Sequence, residues 1–413
     1  MTDLNPTSIS ADRLPESAEV VVIGGGVIGL STAFQLTKHG VTDVVVLERK
    51  HLGSGASGKS GALVRAHYTN VPEARLTHES IKIFKHWSSL VGPGNPAFEE
   101  TGFIRVVSPG DETALWANVA AMREEIGIET AVVTPDDLRE IEPLMRTDDI
   151  TVAAFEPNAG YCDPSGTMYG FAQAATANGA KIHPFTSVES IRIEGGRITG
   201  VVTDRGTIAS NTVVLATGAS SDKLLAPLGI ELGLIPWRSQ VVVFRWPQEI
   251  DHSRKHRVVI DSTQHSWFRA EGDAGTLIGA EYGDRRSDPD TFSETVDPGY
   301  VDHARRALTA RFPAFEHATM RGAWSGVYMQ SPDAHPIIDQ VPSIPGLFLM
   351  TGDAGSSFKT APAIGICLAQ WITAGQSKLV DLTPFRSTRF AEGQPWNDEH
   401  AYGAGGADRT IAR

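Results

Sequence analysis

The stretch Val20-Val21-Val22-Ile23-Gly24-Gly25-Gly26-Val27-Ile28-Gly29-Leu30 reads as strand, tight turn and helix start. Its first four residues are apolar and mostly β-branched, as in a strand buried on both faces of a parallel sheet. Gly24, Gly26 and Gly29 match G-x-G-x-x-G, whose glycines permit the turn, close approach to a pyrophosphate, and packing of helix on strand. The following residues, Leu30 to His39, supply a helix whose N-terminal amides and dipole suit phosphate charge. A second apolar strand, Val44-Val45-Val46-Leu47, ends at Glu48, followed by Arg49. Glu48 stands 19 residues after Gly29, against about 20 for the acid that accepts ribose hydroxyls in this motif. The stretch therefore predicts a dinucleotide site in an α/β, Rossmann-like unit, and by itself leaves NAD and FAD both open.

Working outward, the composition narrows the class. The chain has 413 residues, enough for two domains, with 41% hydrophobic and 21% charged residues, a globular balance. A formal charge of −13 argues against nucleic acid or an anionic membrane as partner, because both require a cationic footprint. Cys162 and Cys367 cannot build a disulfide framework or a cysteine metal site; Cys367, within an apolar helical pattern, reads as a small buried hydrophobe. Residues 1–19 lack the composition of a signal or transit peptide, and no apolar run approaches the roughly 18 residues of a membrane helix. A cytoplasmic location is the default expectation.

Residues 1–17 read as a loosely held arm. The segment Gly53-Ser54-Gly55-Ala56-Ser57-Gly58-Lys59-Ser60-Gly61-Ala62 is rich in small side chains, so something bulky can lie against its backbone. Helical periodicity over residues 72–90 and 112–126, with a strand at 103–107, suggests a cap. Alternation around Gly195-Gly196 predicts a hairpin, and residues 241–246, 258–261, 266–270 and 276–282 read as antiparallel strands. Helices are expected at 298–311 and 361–374, and residues 392–413 read as a polar, mobile tail.

Two further post-strand turns bear on the cofactor: Ala216-Thr217-Gly218, and Thr351-Gly352-Asp353 near the C-terminus. NAD needs only the first glycine turn, whereas a long flavin dinucleotide laid across the sheet needs backbone approaches at all three. FAD is the stronger reading.

These segments, with Asp163-Pro164 and the run from Ser331-Pro332-Asp333 through Lys359-Thr360-Ala361-Pro362-Ala363-Ile364-Gly365, resemble the D-amino-acid oxidase and sarcosine oxidase group of FAD-dependent amine oxidoreductases over roughly residues 18–390. The resemblance implies a discontinuous Rossmann-like FAD-binding domain at 17–90, 150–220 and 320–390. A substrate domain with a mostly antiparallel sheet fills 91–149 and 221–319, and 391–413 is the tail. Cofactor contacts are implied for Gly24, Gly26, Val27, Ile28, Gly29, Glu48, Arg49, Ser60, Gly61, Ala62, Val188, Thr217, Gly218, Gly352, Gly355, Ser356, Phe358 and Lys359.

The implied reaction is hydride transfer from the amine-bearing carbon of an amino acid or N-alkyl amino acid to the flavin, giving an imine that hydrolyses. In this resemblance Arg65 and Lys359 bind the substrate carboxylate and Tyr328 orients the amine or carboxylate, while His67, His265 and Trp267 are weaker candidates. Trp324 and Met329 are read as core. The amides of residues 355–358 and the helix beginning near Thr360 would stabilise reduced flavin.

Two departures from monomeric sarcosine oxidase stand out. Gly326 replaces the flavin-linking cysteine, so non-covalent FAD is expected. The oxygen-activating lysine is missing, since between Lys223 and Lys359 only Lys255 occurs, in a polar run. Oxygen or another acceptor therefore remains open. So does a role as the FAD-bearing subunit of a hetero-oligomeric dehydrogenase with partner subunits, or as a non-catalytic flavoprotein.

Overall fold

Strand β1 (Val20–Ile23) is buried at all four positions, and the turn after it delivers helix α1 (Val27–Lys38). It pairs in parallel with β2 (Val44–Leu47) on one side and with Val213–Leu215 on the other. In this computed structural model, which describes residues 13–403, β1 lies inside a six-stranded sheet. The order is Ile337–Gln340, Leu347–Thr351, Val213–Leu215, β1, β2, Lys181–His183. Only Ile337–Gln340 runs antiparallel to its neighbour. Successive connections leave β1 in opposite directions, so its C-terminal end is a topological switch point, where open α/β sheets bind ligands.

Two glycines make that point possible. A Cβ on Gly24, whose φ is +115°, would run into the carbonyl of Ala216, and one on Gly29 would strike the carbonyl of Gly24. α1 packs against the helices Pro164–Ala177 and Ala361–Ala374, covering one sheet face. The opposite face is covered by the hairpin Val188–Glu194/Arg197–Thr203 with Gly206–Ala209, through a cluster that includes Ile191, Val201 and Ile208.

The second large sheet has eight strands, in the order Thr319–Gln330, Ile235–Arg245, Gly275–Ala280, Ser266–Glu271, Val258–Asp261, Phe103–Val106, Ala153–Glu156, Ala131–Val133. It is antiparallel except where Val258–Asp261 meets Phe103–Val106, and the helix Tyr300–Arg311 packs on it. Two of its strands, Ala153–Glu156 and Thr319–Gln330, fall within segments that the sequence division gave to the dinucleotide unit. The reason is length: Thr319–Gln330 pairs with Ile235–Arg245 over nearly its whole run, and only its last residue bridges to Asp353 at the dinucleotide sheet.

The described part of the C-terminal segment, residues 391–403, makes contacts with the body of the protein: Trp396 stacks on His335 at 4.3 Å, and Tyr402 is 5% exposed with its hydroxyl 2.7 Å from His67 Nε2. These aromatic anchors outweigh the polar composition around them; residues 404–413 lie outside the described residues. Of the N-terminal arm, residues 1–12 lie outside as well, whereas Leu14 is buried and Ser17 bridges to Ala209.

Candidate active site

The turn after β1, the small-residue loop at 54–60, the turn at Ala216–Gly218 and the end of Leu347–Thr351 converge on one cleft. Gly26 caps α1 without a side-chain hydrogen bond, and no acidic residue occupies the first turn of the helix. That leaves positive helix-end potential facing the cleft. Ser57 Oγ accepts from Val27 N at 3.1 Å, fixing the small-residue loop over the helix end. The Glu48 carboxylate accepts from Gly25 N and Lys50 N, each at 2.8 Å. With about four acceptor positions on a carboxylate, it can hold the turn and still accept ribose hydroxyls. Buried Thr351 Oγ1 lines the cleft with no hydrogen-bond partner among the described residues, so an acceptor or donor from a ligand fits there. The cleft thus suits a dinucleotide, with phosphates at the helix end and its far ring toward residues 352–358.

A second cavity adjoins the first; Ser60, Tyr328, Gly355 and Phe358 are among the residues that border both. Arg65 and Lys359 line it, and both cations lie against one ring: Arg65 Cζ is 5.0 Å and Lys359 Nζ 4.8 Å from the Tyr68 centroid. The Arg65 guanidinium donates to the carbonyl of His67, and Lys359 Nζ donates to the carbonyl of Ser356 at 2.8 Å. Burial lowers the pKa of Arg65. Burial, and then the charge of Arg65, push the Lys359 ammonium well below the ordinary lysine range. Behind them the Glu156 carboxyl is pushed up to about 7 by burial, against the opposing pull of the Ala66 amide and Arg65. Its Oε2 accepts from Ala66 N at 2.9 Å, tying the substrate sheet to the Arg65 segment.

Tyr328 borders both cavities, and its hydroxyl accepts from Arg285 Nη2 at 2.5 Å. Arg285 pairs with Glu281 at 3.2 Å and lies 5.0 Å over the Trp237 ring. Sequence reasoning missed Arg285 and Glu281. Their signal was the charged run Glu281-Tyr282-Gly283-Asp284-Arg285-Arg286 following an apolar strand; that strand end points at the cavity rather than at solvent. Lys59 was also overlooked as a cation. It borders both cavities and pairs with Glu294 at 2.7 Å.

Most expected cofactor positions fall at the cleft. Gly24, Gly26, Val27, Ile28, Glu48, Arg49, Ser60, Thr217, Gly218, Gly352, Gly355 and Phe358 line the first cavity, and Gly61, Ala62, Ser356 and Lys359 the second. Gly29 lies beneath the turn as a packing position. Val188 lies apart, at the start of the hairpin strand Val188–Glu194, packed against the cluster under that sheet. Trp324, read as core, instead lines the second cavity and donates to the Lys59 carbonyl at 3.1 Å; Met329 is buried but also lines the first cavity. Trp267 lines the second cavity, His265 is exposed, and His67 is fully buried. Lys255 pairs with Glu99 at 3.0 Å and borders neither cavity. Among the described residues, no cluster of three metal-ligating side chains occurs and no helix is long and apolar enough to cross a membrane.

Comparison with known proteins agrees with this geometry. The sarcosine oxidase subunit beta of Arthrobacter sp is 28% identical over 428 residues, covering 98% of this chain and 99% of that protein. The corresponding subunit of Rhodobacter capsulatus is 25% identical over 381 residues, covering 91% and 89%. The crystal structure of L-proline dehydrogenase from P. horikoshii superimposes with a TM-score of 0.85 at 27% identity, covering 93% of this chain and all of that one. The FAD dependent oxidoreductase (DAO) profile matches residues 19–371, and the chain belongs to that family, with FAD as its cofactor.

Proposed function

We propose that this chain oxidises the C–N bond of a small amine bearing a carboxylate, an amino acid or N-alkyl amino acid. The observation that carries the reading is the pair Arg65 and Lys359, buried on one tyrosine ring in a cavity adjoining the dinucleotide cleft. Two cations at one point suit a carboxylate, and the planar arginine fork adds bidentate geometry. Bound FAD supplies a two-electron acceptor that takes hydride from the substrate carbon. The substrate nitrogen loses a proton as the carbon loses hydride, leaving an imine that adds water and separates into amine and carbonyl products.

The residues of the chain do the placing. Arg65 and Lys359 anchor the carboxylate, Tyr328 with Arg285 forms the wall beside it, and Trp267 and Trp324 narrow the space and exclude water. The helix Ala361–Ala374 and the turn at 355–358 would supply positive helix-end potential to stabilise negative charge on a flavin held in the cleft. Neither Cys162 nor Cys367 lines either cavity, which supports non-covalent FAD; flavin that stays with denatured protein on filtration refutes it. Anaerobic mixing with D-, L- and N-methyl amino acids tests the substrate class. Bleaching by at least one of them is expected, and bleaching only by amines lacking a carboxylate overturns the reading.

A role as the FAD-bearing subunit of a larger enzyme is favoured by the two beta-subunit relatives, each matched along nearly its full length. Co-purification of a partner, set against activity of the isolated chain, separates the two forms. The electron acceptor is decided by stopped-flow reoxidation: fast reaction with air excludes an obligate dehydrogenase.

A further inference from the structure

The segment at 396–402 lies outside the cofactor cleft and the substrate cavity, yet it reaches the back of the Arg65 segment at two adjacent points. Tyr402 Oη lies 2.7 Å from His67 Nε2, with the two rings stacked at 6.0 Å and 8° between planes. The carbonyl of that same His67 receives the Arg65 guanidinium. Two residues on, Thr69 Oγ1 donates to Asp398 Oδ2 at 2.5 Å. Asp398 in turn meets His335 Nε2 at 3.2 Å, and His335 Nδ1 meets Glu73 at 2.7 Å.

The segment is itself pinned at both ends. Trp396 N donates to Asp333 at 2.9 Å, Gly403 N donates to Asp111 at 3.0 Å, and Arg105 lies 5.0 Å over the Tyr402 ring. His67 is held neutral, because burial and then the charges of Arg105 and Arg65 depress its pKa. A neutral imidazole accepts or donates one directional bond to Tyr402 without adding a third charge beside Arg65 and Arg105.

We infer that Tyr402 and Asp398 are positioning residues for carboxylate binding: they fix the backbone at His67 and Thr69, and through the His67 carbonyl they fix the guanidinium of Arg65. The inference rests on the reading of Arg65 as a carboxylate ligand. Neither residue touches the substrate cavity, so the effect must pass through Arg65.

The test uses the full-length, FAD-loaded protein with acetate as the probe, titrated against flavin absorbance. Tyr402→Phe keeps the stacked ring and removes one hydrogen bond; it should lower the thermal midpoint modestly and weaken acetate binding by about threefold to tenfold with unchanged FAD content. Asp398→Ala should behave alike, and Asp398→Asn, which can still accept from Thr69, should restore binding. In an Arg65→Ala background Tyr402→Phe should cause no further loss, the non-additivity of residues acting through one group.

Acetate binding unchanged in Tyr402→Phe and Asp398→Ala, with Arg65→Ala impaired, overturns the inference alone. Additive losses in the double variant overturn it too. If Arg65→Ala binds acetate as the parent does, or the parent binds none, the reading of Arg65 falls and the inference falls with it.

Discussion

Replacing Lys359 by Met tests whether the buried ammonium serves ligand binding rather than folding. The side chain is 4% exposed; its Nζ donates to one carbonyl, lies on the Tyr68 ring, and is depressed in pKa by burial and by Arg65. Met matches its length and removes the charge. A hydrogen bond between charged partners contributes about 1.5–3 kcal/mol, so carboxylate affinity should fall by about tenfold to a hundredfold at roughly 1.4 kcal/mol per decade. Arg65 remains and supplies the residual binding.

Stability should move the other way. Because the folded pKa lies below the ordinary value of 10.5, the unfolded chain binds more protons at pH values between the two. Stability therefore rises with pH across that window, and the cost of burying the ammonium is fully present below it. Lys359→Met should abolish this slope and be no less stable than the parent at low pH. For the same reason carboxylate affinity in the parent should decline as pH rises through the lowered lysine pKa, and the variant should be flat there. The assays are acetate titration and urea midpoints of the FAD-loaded protein at several pH values. Unchanged affinity, or an unchanged pH slope of stability, refutes the reasoning.

Gly29→Ala places a methyl group against the Gly24 carbonyl, with no side chain able to yield. Overpacking of this kind costs about 1–3 kcal/mol, so a lower thermal midpoint and a reduced flavin-to-protein ratio are expected; full FAD content with an unchanged midpoint counts against the tight turn. At Asp333, burial pushes the carboxyl pKa up, but the Arg389 hydrogen bonds and charge outweigh it and hold the group down to about 2, below its ordinary 3.8. The folded state then gains about 2 kcal/mol above the ordinary value, lost as pH falls from 3.8 toward 2. Between pH values of about 4 and 2.5 the urea midpoint should fall more in the parent than in Asp333→Asn, and parallel curves exclude the assignment.

What the sequence made legible was local. The turn after β1, Glu48 and the helix Ala361–Ala374 stand where the pattern put them, because each follows from period and short-range sterics. The weaving of the two sheets was not local. Nothing in the residues of Thr319–Gln330 says that its partner is Ile235–Arg245, far back in the chain. Arg285 was hidden for a related reason: a charged turn after a strand looks solvent-facing until the opposing sheet encloses it. In residues 391–403 composition gave little sign of packing, which rests on two rings, Tyr402 buried and Trp396 partly buried.

The site itself shows why two cations alone were an incomplete reading. Arg65 and Lys359 repel one another in a buried place, an arrangement that costs free energy unless partners offset it. The Tyr68 ring face, the carbonyls of His67 and Ser356, and Glu156 supply that offset. Tyr68 attracts both cations yet carries no net charge, and its own pKa is pushed above the ordinary range by burial. Burial raises the pKa of the Glu156 carboxyl against the pull of the Ala66 amide and Arg65, which weakens its tendency to carry the charge that would balance the pair. On the proposed reading a bound carboxylate would relieve what remains of the repulsion, which is why Lys359→Met should lose affinity while keeping or gaining stability.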